Sequence, residues 1–204
     1  MDSIITIGRE FGSGGHEIGL RLAEALGIPF YDKLLVSMVA EEGEFAQKYL
    51  EEMDEKVDMH IAPFLATRSN YAIYQQPMSD KVFFRQAEII RKLAAGGSCV
   101  IVGRCADYIL EKNPHLVRIF LYGDLKDRVA RKESMNLEIS ESDMTKHVLA
   151  TDRKRSRYYR HYTGQVWGKK EYYDICLNTS VTGLEGAVEI LKTMVQKRAE
   201  IEEA

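Results

Sequence analysis

The chain has 204 residues, 45% of them apolar and 29% charged, enough to fill one core and unlike a disordered or fibrous chain. A net charge of −3 gives no global attraction to nucleic acid or to a membrane surface. The three cysteines, Cys99, Cys105 and Cys176, are odd in number and lack CxxC spacing, which predicts reduced thiols in a cytoplasmic protein and no zinc site.

The first segment, "MDSIITIGRE", goes straight into a strand-like run at 3–8. It has no basic start and no long apolar stretch, so neither a signal peptide nor a membrane span is expected. "HEIGLRLAEALG" (16–27) carries Ile18, Leu22, Ala25 and Leu26 at helical spacing and ends at Gly27, a helix stop. A second strand is expected at 28–32. Residues 33–95 read as helices interrupted by the polar, tyrosine-rich "ATRSNYAIYQQPM" (66–78), the expected flexible loop. "SCVIVGR" (98–104) and "LVRIFLYG" (116–123) are near-continuous apolar runs, as parallel strands covered on both faces should be. "YDICLNTS" (173–180) is the last strand. The closing helix is expected to open with a capping box between Thr182 and Glu185. Strands alternating with helices predict a parallel α/β sheet with helices on both sides. No internal repeat or low-complexity stretch divides the chain, so one domain over 1–204 is expected.

Between β-strand and helix lies "GREFGSGGHE" (8–17). A glycine-rich turn at a helix N-terminus is an anion site, because backbone N–H groups point outward and the helix dipole adds positive charge. Gly12, Ser13, Gly14, Gly15 and His16 form this candidate phosphate loop. The same pattern also serves tight packing alone. Basic residues gather late in the chain, with seven Lys or Arg against Asp152 over 151–170, and acids gather over 41–58.

Taken together and in order, "ITIGREFGSGGHEI", "LGIPFYDK", "VIVGRCADYIL" and "RKRSRYY…YDICLNTS" resemble the cytidylate kinase-like family, a branch of the nucleoside monophosphate kinases. The resemblance runs from residue 4 to about 190 and is weakest over 40–80. It implies a P-loop NTPase fold, a three-layer α/β/α arrangement around a five-stranded parallel sheet. It also implies a monophosphate-binding helical section at about 33–80 and a short helical lid at about 150–170. The implied chemistry is ATP-dependent, Mg²⁺-assisted transfer to a small phosphorylated acceptor, CMP or dCMP first.

Against the ordinary Walker A loop, Arg9 stands at the first glycine, Gly15 at the lysine and Glu17 at the magnesium-binding Thr. Loss of that lysine removes a cation that phosphoryl transfer uses. Arg9 is the candidate replacement, since a guanidinium clamps phosphate oxygens; the competing reading pairs it with Glu10 or Glu17. Ser13 is the candidate hydroxyl for Mg²⁺.

On the acceptor side the resemblance assigns Arg104 to the acceptor phosphate and Asp32 to the end of the second strand, with Lys33 standing in for an absent arginine. The family's nucleoside-reading Asp is Cys105 here, with Asp107 out of register. In the basic helix, Arg153 and Arg157 (i, i+4) or Arg157 and Arg160 (i, i+3) are the pairs that can clamp phosphate together; Arg153 and Arg157 are the candidates, and the other arginines are expected to face solvent. An RNA-binding reading of the basic and aromatic run finds little support in a net acidic chain. The partners expected are nucleotide substrates, without nucleic acid or membrane, for a monomer or homodimer. Two alternatives stay open: a kinase for a different small metabolite, and a nucleotide-sensing module without turnover.

Overall fold

The computed structural model describes residues 3–32, 78–135 and 140–203. Strand β1 (Ile4–Arg9) leads through residues 10–14 into helix α1 (Gly15–Leu26), and β2 (Phe30–Tyr31) follows. Helix α2 (Met78–Ala95), β3 (Cys99–Val102), the short α3 (Ala106–Ile109) and β4 (Leu116–Tyr122) come next. Helices α4 (Leu125–Glu133) and α5 (Glu141–Thr163) precede β5 (Ile175–Asn178) and α6 (Thr179–Glu203). Lys33 and most of the expected 33–80 section and 66–78 loop lie outside the described residues.

The five strands pair in the order β2-β3-β1-β4-β5, and every pairing is parallel. Parallel strands expose neither face, which is why β1, β3 and β4 read as apolar runs. On one face Ile5, Ile7, Val100, Val102, Ile119 and Leu121 pack on Ile18 and Leu22 of α1 and Leu191 of α6. On the other, Ile4, Cys99, Ile101 and Leu116 pack on Val82, Ile89 and Ile90 of α2. Residues next to one another in β1 thus point to opposite helical layers, and the sheet's carboxyl edge is left to the loops.

The last helix departs from expectation. It starts at Thr179, and Gly183, with φ 63° and ψ −176°, breaks its first turns. The Thr182 hydroxyl donates to the Asn178 and Gly183 carbonyls, while Glu185 pairs with Arg21 of α1, so the capping box is not made.

Candidate active site

The segment after β1 turns on Gly12 (φ 85°) and Gly14 (φ 81°), left-handed positions that a side chain would strain. A Cβ on Gly12 would also stand 2.5 Å from the Arg128 carbonyl oxygen. Gly14 caps α1 without a side-chain bond, so the N–H groups of the first helical turn face the cleft rather than a cap. That cleft, about 480 Å³, is lined by Arg9, Gly14, Gly15, His16, Asp32, Arg131, Lys132 and Arg155, among others.

Arg9 explains the absent lysine sterically. A Cβ on Gly15 would lie 2.6 Å from the Arg9 Cβ and 2.8 Å from its Cγ, so the Arg9 stem occupies the space a residue-15 side chain needs. Its guanidinium continues over Gly103, where a Cβ would come within 3.1 Å of Cζ, and ends 3.9 Å from the Asp32 carboxylate. Asp32, which the sequence did not offer as a partner for Arg9, is thus within ion-pair distance of it. His16, whose ring packs edge-on to Phe30, places Nε2 3.2 Å from the same carboxylate.

Past β3 the backbone enters the left-handed region three times running, at Gly103 (φ 82°), Arg104 (φ 59°) and Cys105 (φ 55°). For the two non-glycine residues this costs about 1–2 kcal/mol each, strain of the kind that gathers at sites. Arg104 at this turn is buried. Arg104, Arg9 and Arg155 line a second, smaller pocket with Asp107, Tyr158, Tyr159, Trp167 and Tyr173. At about 30 Å³ it has room for a water or two. Burial raises the Asp107 carboxyl above the ordinary carboxylate range, against the lowering effect of the hydroxyl Tyr159 donates to it at 2.7 Å. Asp107 and its tyrosines were not picked out from the sequence, where only its offset from the family's position 105 was visible.

The basic helix α5 corrects the expected pair. Arg153 and Arg157 are exposed, and Arg155 is the arginine that faces inward. It donates to the Arg9 carbonyl at 3.1 Å and lies over the Phe11 ring. The helix is phased by Asp152, one turn earlier, and by the buried Tyr158 and Tyr159, one turn later. Residues 153 and 157 therefore fall on the outer side.

Ser13 is also placed differently from expectation. Its buried hydroxyl donates to the Glu10 carbonyl at 2.8 Å, and the residue lines a separate cleft with Asp127 and Ser180. Glu17, at the usual hydroxyl position, is ion-paired to Arg131 and Arg21.

A model of the cytidylate kinase-like family matches residues 4–181. The chain belongs to that family. This cytidylate kinase-like chain is also similar in structure to a protein of Eubacterium ventriosum ATCC 27560 described as uncharacterized, at TM-score 0.73 and 28% identity, covering 95% of this chain and 98% of that one. A gluconokinase from Sinorhizobium meliloti 1021 matches at TM-score 0.57 and 17% identity over 99% and 96% of the two chains. A shikimate kinase from Bacteroides thetaiotaomicron matches at TM-score 0.57 and 13% identity over 96% and 99%. These last two establish the P-loop kinase fold. No curated protein matches. Among the described residues no helix is long and apolar enough to cross a membrane.

Membership in a kinase-like family supports phosphoryl transfer as the general chemistry. The residues fit a nucleotide triphosphate: a glycine cradle that a Cβ would fill, a helix N-terminus and several cations around one cleft. They do not form a protein cage for Mg²⁺. The described residues hold no cluster of three carboxylate, His or Cys donors, and both Glu17 and Asp32 are engaged by cations.

Proposed function

We propose that this protein transfers the γ-phosphoryl group of ATP to a small phosphorylated acceptor, with CMP or dCMP the first candidates. The observation that carries the reading is Arg9, whose stem fills the place of the missing lysine while its guanidinium bridges the loop cleft and the Arg104 pocket. The two spaces share Arg9 and Arg155, so a donor phosphate in the cleft would meet an acceptor held at the mouth of the smaller pocket between two guanidiniums.

In this reading the N–H groups at Gly12, Gly14 and Gly15 hold the donor's β- and γ-phosphates. Arg104 holds the acceptor phosphate. An acceptor oxygen forms a bond to the γ-phosphorus as the bond to the β–γ bridging oxygen breaks, and ADP leaves. The acceptor is already an anion at neutral pH, so no general base is required, and catalysis is positioning and charge neutralisation. Bound with the nucleotide, Mg²⁺ would supply further positive charge against the phosphates, and no cluster of three carboxylate, His or Cys donors among the described residues would hold it without them. Arg9 and Arg155 neutralise charge that grows on the transferring group, in a lid formed by α5.

A second reading is favoured by one observation. The expected nucleoside-reading position holds Cys105, and the nearby carboxyl of Asp107 is bonded to Tyr159 instead of open to a base. That supports a small metabolite other than a nucleotide as acceptor.

The test is ADP formation from ATP and Mg²⁺ with CMP, dCMP, UMP, AMP, GMP, gluconate, shikimate or no acceptor, in the wild type and in Arg9→Ala. The expected result is acceptor-dependent turnover that falls about 10²-fold in Arg9→Ala. Turnover with gluconate or shikimate alone establishes the second reading. ATP binding without turnover on any acceptor overturns both in favour of a sensing module.

A further inference from the structure

We propose that Asp152 and Arg128 are positioning residues that bolt the basic helix to the phosphate loop and so deliver Arg155 to the transferring phosphate. The proposal rests on the phosphoryl-transfer reading above.

Phe11, in the middle of the loop, has both of its peptide groups taken by this pair. Its N–H donates to Asp152 Oδ1 at 2.7 Å, and its carbonyl accepts from Arg128 Nη1 at 3.1 Å. The pair closes on itself, with Arg128 Nη1 2.6 Å from Asp152 Oδ2. Arg128 is buried, and its Nε donates to the Gly123 carbonyl at 2.9 Å and lies 3.3 Å from Glu10 Oε2. Glu10 in turn accepts the Gly123 N–H at 3.1 Å. One guanidinium therefore ties together the loop, the turn after β4 and α5. The next loop residue, Gly12, lies so close to the Arg128 backbone that no Cβ fits between them.

Arg155 is three residues beyond Asp152, on the same helical face, and its only freedom is its own side chain once Asp152 is fixed. Its Nη1 reaches the Arg9 carbonyl, at the start of the loop, while Asp152 holds the loop's middle. The two contacts make the loop and this stretch of α5 one body. A helix free to slip or rotate would lose the inward direction of Arg155 and present Arg153 or Arg157 in its place. Asp152, the single acid in the run 151–170, fixes that direction on the loop side, as Tyr158 and Tyr159 do one turn later.

A merely structural ion pair predicts losses that multiply with any other defect, whereas a residue that acts through Arg155 has nothing left to lose once Arg155 is gone. The experiment is a cycle of Asp152→Asn, Arg155→Ala and the double variant, read as kcat and KM with ATP and the acceptor the wild type uses. Asp152→Asn keeps the size and one acceptor for Phe11 but removes the charge that holds Arg128. Arg128→Lys, read in the same cycle, covers a failure of Asp152→Asn to fold.

Asp152→Asn and Arg155→Ala should each lower kcat about 10²-fold, with the KM for ATP changed by about threefold or less. The double variant should stay within about threefold of Arg155→Ala. Losses that multiply to about 10⁴-fold, or wild-type turnover in Asp152→Asn, overturn the proposal. If the wild type turns over no acceptor, the phosphoryl-transfer reading has failed, and the bolt is read by titration calorimetry with ATP. Asp152→Asn and the double variant should then each bind ATP within about threefold of Arg155→Ala, and a loss of about tenfold or more beyond Arg155→Ala in either overturns it.

Discussion

At position 15 a hydrogen atom carries the meaning. With the Arg9 Cβ 2.6 Å from where a Gly15 Cβ would sit, Gly15→Ala forces either the loop or the Arg9 stem to move. We expect it to cost about 1–3 kcal/mol in ATP binding or folding, measured by calorimetry and urea unfolding. Gly15→Lys alone should be worse than either. The pair Arg9→Gly with Gly15→Lys restores the glycine and the lysine of an ordinary loop and should recover ATP affinity to within about tenfold of wild type. At the same scale, Arg155→Ala should lower kcat/KM about 10²-fold. Arg153→Ala and Arg157→Ala, which remove exposed side chains, should change it by less than about fivefold. Equal losses at all three would mean that the helix rotates when substrate binds.

Between elements, the informative contact joins α3 to α5 through Asp107 and Tyr159. Burial holds the Asp107 carboxyl above its ordinary range, so the folded chain keeps that proton more tightly than the unfolded one. Its contribution to stability is greatest in acid and declines as pH rises from the unfolded value near 4 through the folded one. Asp107→Asn still accepts the Tyr159 hydrogen bond and has no proton to lose. Urea midpoints should therefore fall less in the variant than in the wild type as pH rises above the ordinary carboxylate range. A parallel fall in both would mean that Asp107 is ionised throughout.

The same scale shows what the sequence could convey. The strands β1, β3 and β4 were legible because parallel strands buried on both faces leave little doubt, and the loop was legible from its glycines. The direction of Arg155 was not. It is set by Asp152 meeting a loop residue 141 positions away, and spacing within a helix gives which residues share a face but not where that face points. The start of α6 was misread because the Thr182–Glu185 spacing says nothing of Gly183 at φ 63° between them.

For the whole molecule, the sheet brings residues from five segments to one edge: Arg9, Asp32, Arg104, Arg131 and Arg155. The four arginines repel one another, Asp32 and Glu17 offset part of that repulsion, and a polyanion should relieve more of it. ATP at about 100 times its Kd should stabilise the fold by about 2.7 kcal/mol, a rise in Tm of about 5–10 °C. In Arg9→Ala the rise at the same concentration should be smaller. Thermal scans with and without ATP decide it, and an equal rise would remove Arg9 from the binding site.

The close contact between Arg9 and Gly15 has a consequence for descent. A chain moving from this loop to the lysine-bearing kind by single substitutions has two routes. Acquiring the lysine first sets two side chains in one volume; losing the arginine first leaves the loop without its cation. Both intermediates should be poorer than either end. The two loops are then separated by a barrier that neither side crosses in one step, so a lineage that once placed its cation on the strand would tend to keep it there.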